Sequence, residues 1–243
     1  MIVESKKVLV CEDEEAIREF IVIHLKRSGY EVFDADCGEK AVDLWNSGLR
    51  FDVAVLDIMM PGMDGCQVCK FLRSRSQTMG IIMLSAKSRE MDKVNSLMMG
   101  ADDYITKPFS PSELVARVDA VYRRVSLSRP SEEINPDISS GPFYIDARRR
   151  TITKNGKLLD LTQVEYHILE YFIKNEGSPI DRDTLLERIW GCAYCGDEKI
   201  VDVNIRRIRM KIEDDPSHPR YIQTVWGFGY KWNSGENGER EER

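Results

Sequence analysis

Polar residues follow four short apolar runs in the first half of the sequence, at the point where each run ends. Glu12 and Asp13 come after the first run, Asp57 ends the third, Ser85 follows the fourth and Lys107 follows the fifth. A carboxylate at the end of a buried strand is costly unless a nearby group compensates its charge. Three acids held together favour a hard cation with oxygen ligands, such as Mg²⁺. The pattern therefore predicts a metal-assisted carboxylate site.

Alternating strands and helices are needed to bring these residues together. Between the first two runs, Ile17, Ile21 and Leu25 recur at helical spacing, and we interpret His24 in the same stripe as a packed residue. Strands alternating with helices predict a doubly wound, five-stranded parallel sheet in an α/β domain over residues 5–125. Ligands of such sheets bind beyond the carboxyl ends of the strands. The strand candidates are residues 7–11, 30–34, 52–56, 80–84 and 103–106.

The chemistry that suits this set is phosphoryl transfer to Asp57. A carboxylate can attack phosphorus to give an acyl phosphate, with Lys107 pairing with a phosphoryl oxygen and Ser85 donating a hydrogen bond. Ordinary ion pairs on the rim of a sheet are the alternative reading. Phosphatases of the haloacid dehalogenase type also use an aspartyl nucleophile, but they need a second acid two residues on, where this chain has Met59. We therefore expect a stored phosphoryl group and no enzymatic turnover.

The composition changes after residue 125 and indicates a second domain. Residues 126–141 are rich in Ser, Pro and acid and have no period, which predicts a linker. Residues 142–233 read as an α+β winged helix-turn-helix domain, and the polar residues 234–243 as a disordered tail. The element signals in this domain are an Asn155-Gly156 hairpin, a Thr162/Glu165 capping box, helices near Asp183–Trp190 and Lys199–Glu213, and a ribbon over Tyr221–Trp232.

The formal charge of −6 argues against nucleic-acid binding by the chain as a whole, so a DNA-binding interpretation depends on a local patch. Residues 199–213 hold five Lys and Arg against two acids, which is a local charge of +3. A helical projection places an apolar stripe, Val201 with Ile205, opposite Arg206 and Met210. A solvated charged face would explain this pattern, but a glycine-tipped hairpin follows and favours a helix for the major groove with a wing for the minor groove.

Residues 6–124 resemble the receiver domain of two-component response regulators, a flavodoxin-like fold. The resemblance implies that Asp57 is the phospho-acceptor, that the Met59 carbonyl joins Glu12, Asp13 and Asp57 around Mg²⁺, and that Tyr104 is an aromatic switch responding to Ser85. It also implies a cis Lys107–Pro108 bond. The matching motifs are V10-C-E-D13, L56-D-I-M-M-P-G-M-D-G65, L84-S-A-K87 and G100-A-D-D-Y-I-T-K-P-F109.

Residues 143–232 resemble the winged-helix effector domain of OmpR/PhoB-type regulators, through L161-T-Q-V-E-Y-H-I-L169, V201-D-V-N-I-R-R-I-R209 and T224-V-W-G-F-G-Y-K231. The resemblance implies binding to double-stranded promoter DNA at direct-repeat half-sites, and places residues 191–198 where relatives touch RNA polymerase. Many relatives have Arg in place of Trp226. The implied DNA contacts are Lys199, Asp202, Val203, Asn204, Arg206, Arg207, Arg209, Thr224 and Trp226.

The resemblance to receiver domains implies that phosphorylation drives homodimerisation through the helix before the fifth strand, that strand and the helix after it. Because the sequence has no P-loop, a partner sensor histidine kinase must supply the phosphoryl group. A regulator that binds DNA independently of phosphorylation is the alternative. The residues expected at the dimer interface are Lys93, Asp102, Asp103, Glu113, Arg117 and Arg124.

The six cysteines and the chain's first residues bear on its compartment. We interpret the C-x-x-C pairs Cys66/Cys69 and Cys192/Cys195 as plain thiols, because three histidines offer few further metal ligands. The sequence lacks a long apolar run, and its start lacks the order of a signal peptide. We therefore expect a cytoplasmic protein that does not interact with membranes.

Overall fold

The computed structural model describes residues 5–86, 97–127, 136–191, 194 and 197–235. The chain divides into two compact units, residues 1–126 and 127–243. Among the described residues, every helix is too short or too polar to cross a bilayer.

The first unit is a parallel sheet flanked by helices, as predicted. All neighbouring strands are parallel and follow the order β2-β1-β3-β4-β5. The chain between β4 and β5, where a helix is predicted, includes residues 87–96, which are outside the described residues. The elements are β1 (Lys6–Cys11), α1 (Glu15–Arg27), β2 (Tyr30–Ala35), α2 (Gly38–Asn46), β3 (Val53–Asp57), α3 (Gly65–Arg73), β4 (Gly80–Ser85), β5 (Asp103–Thr106) and α4 (Pro111–Leu127).

The central strands are apolar because helices cover both of their faces. Every residue of β3 and β4 is buried. Alternate residues such as Val8 and Val10 of β1 point to one core, where they pack with Ile21 and Leu25 of α1 and with Leu114 of α4. Burying side chains of this size contributes about 1.5–3 kcal/mol each. The packed sheet thus fixes where its strand ends lie.

In its described residues, the second unit has two antiparallel sheets and three helices. One sheet has the order β6-β7-β8-β9 and the other the order β10-β12-β11. The elements are β6 (Ile138–Ser140), β7 (Phe143–Asp146), β8 (Thr151–Lys154), β9 (Lys157–Leu158), α5 (Gln163–Lys174), β10 (Pro179–Asp181), α6 (Arg182–Trp190), α7 (Lys199–Ile212), β11 (Ile222–Val225) and β12 (Gly229–Trp232).

Several local predictions for this unit are confirmed. Asn155 and Gly156 both have positive φ, 52° and 76°, in the turn between β8 and β9. Thr162 and Glu165 form the reciprocal capping box that opens α5. The sequence reading missed β6, β7 and β10. The interval predicted as a linker, residues 126–141, also contains the end of α4 and the whole of β6.

An aromatic cluster connects the two sheets of the second unit. The ring of Phe143 lies 4.8 Å from that of Tyr221 and 5.0 Å from that of Trp232, measured between centroids. Trp232 is fully buried, and its Nε1 donates to Ser140 Oγ at 2.8 Å. Because Phe143 is in β7 and Trp232 is in β12, the hairpin that ends the domain is anchored in its core.

Candidate functional site

The predicted carboxylate residues meet at one rim of the parallel sheet. Glu12 and Asp13 follow β1, Asp57 ends β3, and β1 and β3 are neighbours in the sheet. One carboxylate oxygen from each of the three acids lies within 4.8 Å of the others. Glu12 and Asp57 are buried, at 0% and 3% exposure. The parallel order of the strands thus produces the convergence that the sequence predicts.

Lys107 provides the positive charge in this pocket. Its Nζ lies 2.7 Å from Glu12 Oε2 and 3.1 Å from Asp57 Oδ2. The Lys107–Pro108 peptide bond is cis, as the resemblance implies. The Lys107 backbone N–H donates to Ser85 O at 2.8 Å, and Ser85 is buried at the end of β4. Ser85 and Lys107 therefore stand beside Asp57.

The pocket holds more negative charge than Lys107 neutralises. Asp57 Oδ1 is buried and has no hydrogen-bond partner among the described residues. Burial raises the pKa of Glu12, although Lys107 opposes the shift. Burial by itself would lower the pKa of Lys107, but the hydrogen bond to Glu12 and the charge of Asp57 outweigh it and raise that pKa. An oxygen-rich site with a bare carboxylate oxygen fits a divalent cation such as Mg²⁺.

Two supporting residues were missed by the sequence reading. Arg18 Nη1 donates to the carbonyl oxygens of Glu12, at 2.8 Å, and Asp13, at 3.2 Å, and so fixes the loop that carries both acids. Gly65 begins α3, and a Cβ there would lie 2.0 Å from Asp57 O, which no side chain could tolerate. The Asp64/Gln67 capping box at this helix start was a readable signal. No motif in the sequence indicated that Arg18 would contact the carbonyl oxygens of Glu12 and Asp13.

The other predicted residues of the first unit have mixed placements. Tyr104 is 5% exposed in β5, whereas the Met59 side chain is 55% exposed. His24 packs on Phe20, with ring centroids 4.7 Å apart, as expected for a packed histidine. Cys66 and Cys69 are free cysteines.

Four of the six residues expected at a dimer surface, Asp102, Asp103, Arg117 and Arg124, are buried within the chain. Asp102 is 2% exposed, and its Oδ2 accepts from Arg73 Nη2 at 2.7 Å and from the Ile81 N–H at 2.8 Å. Asp103 pairs with Arg117 at 3.2 Å, and both are buried. Arg124 is buried, Glu113 pairs with Arg117 at 3.1 Å with 36% of its side chain exposed, and Lys93 lies outside the described residues.

In the second unit, α7 presents both the buried stripe and the exposed residues that the helical projection predicts. Val201, Ile205, Ile208 and Ile212 are at most 1% exposed. Lys199, Arg206 and Met210 are exposed. These side chains make α7 a surface helix with a basic outer face.

Three residues expected to contact DNA are buried in this structure, which differs from the projection. Val203 is 5% exposed and Asn204 is fully buried, with its Nδ2 donating to Ile200 O at 2.8 Å. Arg207 is 6% exposed, and its Nε lies 2.9 Å from the buried Glu165. Because Glu165 of α5 pairs with Arg207 of α7, the buried face of α7 is wider than its apolar stripe.

Hydrogen bonds connect α7 to the terminal hairpin. Arg209 Nε donates to Ile222 O at 2.9 Å, and its Nη2 donates to Thr224 Oγ1 at 2.9 Å. Asp202 Oδ1 accepts from Arg182 Nε at 2.8 Å. Trp226 stands 92% exposed at the tip of the hairpin, where Gly227 has a φ of 71°. The helix and the wing therefore form one surface.

The loop expected to approach RNA polymerase, residues 191–198, is described only at positions 191, 194, 197 and 198. Cys192 and Cys195 both lie outside the described residues, so the interpretation of that pair as plain thiols stays a prediction.

Comparisons with known proteins identify the family of each domain. Residues 8–119 match the family model described as "Response regulator receiver domain", and residues 156–232 match "Transcriptional regulatory protein, C terminal". The structure of DrrB from Thermotoga maritima, an OmpR/PhoB homolog, is 33% identical, covers 95% of this chain and 100% of its own, and has a TM-score of 0.50. A RitR mutant is 26% identical, with coverages of 94% and 99% and a TM-score of 0.75. The chain belongs to the OmpR/PhoB-type two-component response regulators, with a receiver domain followed by a DNA-binding transcriptional regulatory domain.

Proposed function

We propose that Asp57 accepts a phosphoryl group from a sensor histidine kinase and that this event controls promoter binding by the second domain. The observation that carries the proposal is the buried Asp57 Oδ1, which has no hydrogen-bond partner in the described part of the chain and lies beside Lys107 in an acidic pocket. A carboxylate so placed is a nucleophile with room for an incoming electrophile. Ser85 at the end of the neighbouring strand β4 adds a hydroxyl to the same rim.

Glu12, Asp13, Asp57 and the Met59 carbonyl would hold Mg²⁺. When bound, the ion would neutralise charge between the carboxylate and the phosphoryl oxygens. The packing of Glu12 and Asp57 at 0% and 3% exposure keeps both carboxylates in place before the reaction. Arg18 holds the backbone of the two N-terminal acids through their carbonyl oxygens.

In the transfer step, an Asp57 carboxylate oxygen forms a bond to phosphorus as the bond from phosphorus to the kinase histidine nitrogen breaks. The electron pair of the broken bond stays on the histidine, and Asp57 becomes an acyl phosphate. Lys107 then pairs with a phosphoryl oxygen and Ser85 donates to another. Because Met59 stands where a general acid would be needed for rapid hydrolysis, the acyl phosphate persists as a signal and the protein is not an enzyme in the ordinary sense.

The output surface is the exposed face of α7 together with the wing. Lys199 and Arg206 are exposed on α7, Arg209 joins the helix to the wing, and Trp226 is at the wing tip. We assign base or phosphate contact to these residues and to Asp202 and Thr224 beside them. The remaining three, Val203, Asn204 and Arg207, would contact DNA only if they left the domain interior, so we give them a packing role.

Phosphorylation replaces a carboxylate with a more highly charged group that draws on Ser85 and Lys107 and shifts a conformational equilibrium, with Tyr104 as the switch residue. The partners in this proposal are a second copy of the chain, direct-repeat DNA half-sites about one helical turn apart, and RNA polymerase. Lys93 and Glu113 are the dimer residues we retain. We also propose that the protein is cytoplasmic, because a transcription factor acts where the DNA is.

The test uses the full chain with Mg²⁺ and acetyl phosphate. We expect the wild type to gain the mass of one phosphoryl group, to dimerise, and to select direct-repeat sites from a random DNA pool. Asp57→Asn should do none of these in response to the phosphodonor, whereas Asp43→Asn, on the exposed face of α2, should behave as the wild type does. Equal dimerisation and DNA binding by Asp57→Asn and wild type would instead indicate the phosphorylation-independent regulator.

A further inference from the structure

One acid of α7 is held by side chains from two other elements of the second domain. Asp202 lies in the first turn of α7, and its Oδ1 accepts from Arg182 Nε at 2.8 Å and from the Tyr230 hydroxyl at 2.6 Å. Arg182 begins α6 and Tyr230 is in β12, so three elements meet at this one oxygen. Burial, together with the hydrogen bond to Asp202, raises the pKa of Tyr230 to about 12, so its hydroxyl keeps its proton and donates.

The second oxygen of Asp202 is available to another group. In the described part of the chain, Asp202 Oδ2 has no hydrogen-bond partner, and 44% of the side chain is exposed. Asp202 lies three residues after the exposed Lys199 and four before the exposed Arg206, so it belongs to the same outer face of α7. Arg182, Lys199 and Asp202 line part of a cleft of about 420 Å³. A hydrogen-bond donor that enters this cleft would find one carboxylate oxygen fixed and the other accessible.

We propose that Arg182 and Tyr230 are positioning residues, which hold Asp202 so that its second oxygen accepts a hydrogen bond from the exocyclic amino group of cytosine. The inference rests on the proposed function, in which the exposed face of α7 binds DNA, because the first turns of a recognition helix contact base edges. A carboxylate only accepts hydrogen bonds, and the donors in the major groove are cytosine N4 and adenine N6. Adenine also presents its N7 acceptor beside N6, which repels a carboxylate, so cytosine is the favoured base.

Arg182 also compensates the charge that Asp202 would bring to a DNA-binding surface. A carboxylate near DNA phosphates is repelled, which would weaken binding to every sequence. Arg182 pairs with this carboxylate, and Tyr230 adds a hydrogen bond without adding charge. Because the side chains of Arg182 and Asp202 are 30% and 44% exposed, their ion pair contributes little to stability. We therefore expect the contacts of Asp202 Oδ1 to affect base selection more than folding.

The test is selection of bound duplexes from a random DNA pool by the full chain with Mg²⁺ and acetyl phosphate, followed by affinity measurements on single-base variants of the selected site. We expect each wild-type half-site to contain one position at which cytosine is preferred about tenfold or more. In Asp202→Ala this preference should disappear, whereas preferences at the other positions should remain. Asp202→Asn, whose amide can pair with adenine N6 and N7, should shift the preference at this position to adenine.

Tyr230→Phe isolates the positioning role, because it removes the hydroxyl and keeps the ring. We expect discrimination at the cytosine position to fall about threefold or more, with preferences at other positions unchanged. Tyr144→Phe is the matched control: its hydroxyl donates to Asp137 Oδ2 at 2.6 Å, and its loss should leave every base preference unchanged. Asp183→Ala removes one exposed negative charge outside α7 and should change the affinity for all sequences alike.

The outcomes distinguish this inference from the proposed function. A wild-type chain that selects no sequence would overturn both. Base preferences that are the same in wild type and Asp202→Ala, or in wild type and Tyr230→Phe, would overturn the inference alone, as would an equal loss of affinity for all sequences in folded Asp202→Ala. Thermal melts show whether each variant folds, and Asp202→Asn, which has the same size as the wild-type residue, carries the test if the alanine variant does not.

Discussion

The two domains each bury a glutamate completely and neutralise it in opposite ways. Among the described residues, Glu12 of the receiver shares one cation, Lys107, with Asp57, and Asp13 lies beside them. Glu165 of the effector has two cations to itself, Arg207 at 2.9 Å and Lys211 at 2.7 Å. It also accepts from the Thr162 N–H at 2.8 Å. The receiver pocket is short of positive charge, and the effector cluster is not.

The pKa shifts of the two glutamates reflect this difference. Burial raises the pKa of Glu12, and Lys107 does not fully offset it. Burial also acts to raise the pKa of Glu165, but Arg207 and Lys211 outweigh it and hold that pKa below its usual value. A carboxylate that is incompletely neutralised is prepared to take a cation and a phosphoryl group. A carboxylate that is fully neutralised serves as a structural connection between α5 and α7.

The largest effect should come from breaking the balanced cluster. Glu165→Ala leaves Arg207 buried without its carboxylate and removes the capping box, so we expect a loss of about 3–5 kcal/mol in the free energy of unfolding. Urea unfolding followed by tryptophan fluorescence would measure it, because Trp190, Trp226 and Trp232 all lie in this domain. Arg149→Ala removes an exposed ion pair of the same domain and should leave stability unchanged. A loss no larger than that of the Arg149 variant would contradict the structural role of Glu165.

The fold of the receiver was predictable because its signals are local and redundant. Buried parallel strands must be continuous apolar runs, and each run that the sequence shows became a strand within about one residue of the expected bounds. The strands β6, β7 and β10 were missed, and of these the three-residue strands β6 and β10 were not predictable. Each has three residues, and β10 joins β12 only because the chain between them folds back. Three residues cannot show a period.

The receiver pocket was also readable, since strand ends identify its residues one by one. The burial of Arg207 and Asp102 was not, because each depends on a partner elsewhere in the fold: Glu165 in one case and Arg73 in the other. A helical projection uses only the positions of apolar residues along one helix. It therefore places an arginine on the exposed face even where a buried acid of another element pairs with it. The helical projection therefore identified exposed residues of α7, but the predicted DNA contacts included residues that are buried inside the domain.

Two neighbouring arginines of α7 should separate the role of a buried ion pair in stability from the role of an exposed cation in DNA binding. Arg206→Ala removes an exposed cation and should weaken DNA binding by about 1–3 kcal/mol while leaving the unfolding free energy unchanged. Arg207→Ala should lower the unfolding free energy, because it leaves Glu165 with Lys211 alone. Fluorescence anisotropy with the selected DNA and urea unfolding would separate the two outcomes. Equal loss of DNA affinity at native stability in both variants would return Arg207 to the DNA surface.

The receiver pocket around Glu12 and Asp57 should bind Mg²⁺, whereas the Glu165 cluster of the effector should not. Glu12→Gln removes one oxygen charge, so we expect Mg²⁺ affinity to fall about tenfold or more, which corresponds to about 1.4 kcal/mol. Glu39→Gln, outside the acidic group, should bind Mg²⁺ as the wild type does. Isothermal titration calorimetry of the full chain would measure both. Undiminished affinity in Glu12→Gln would remove Glu12 from the metal site.

The smallest expected effect is on the pH dependence of the unfolding free energy, which should have opposite signs in the two domains. The folded receiver holds the Glu12 proton more tightly than the unfolded chain does, so without Mg²⁺ its stability falls as pH rises from the ordinary glutamate pKa of 4.5 through the raised value. The lowered pKa of Glu165 acts in the other direction: its contribution is present above pH 4.5 and is lost as pH falls through the lowered value.

Amide NMR signals of β1 and of α5, followed during urea unfolding in EDTA, would resolve the domains separately. Glu12→Gln should abolish the receiver's fall in stability with rising pH and leave the effector profile as it is, because the two glutamates lie in different compact units. A receiver profile identical in wild type and Glu12→Gln would mean that Lys107 already neutralises Glu12. The charge deficit would then belong to Asp57, whose Oδ1 has no hydrogen-bond partner among the described residues.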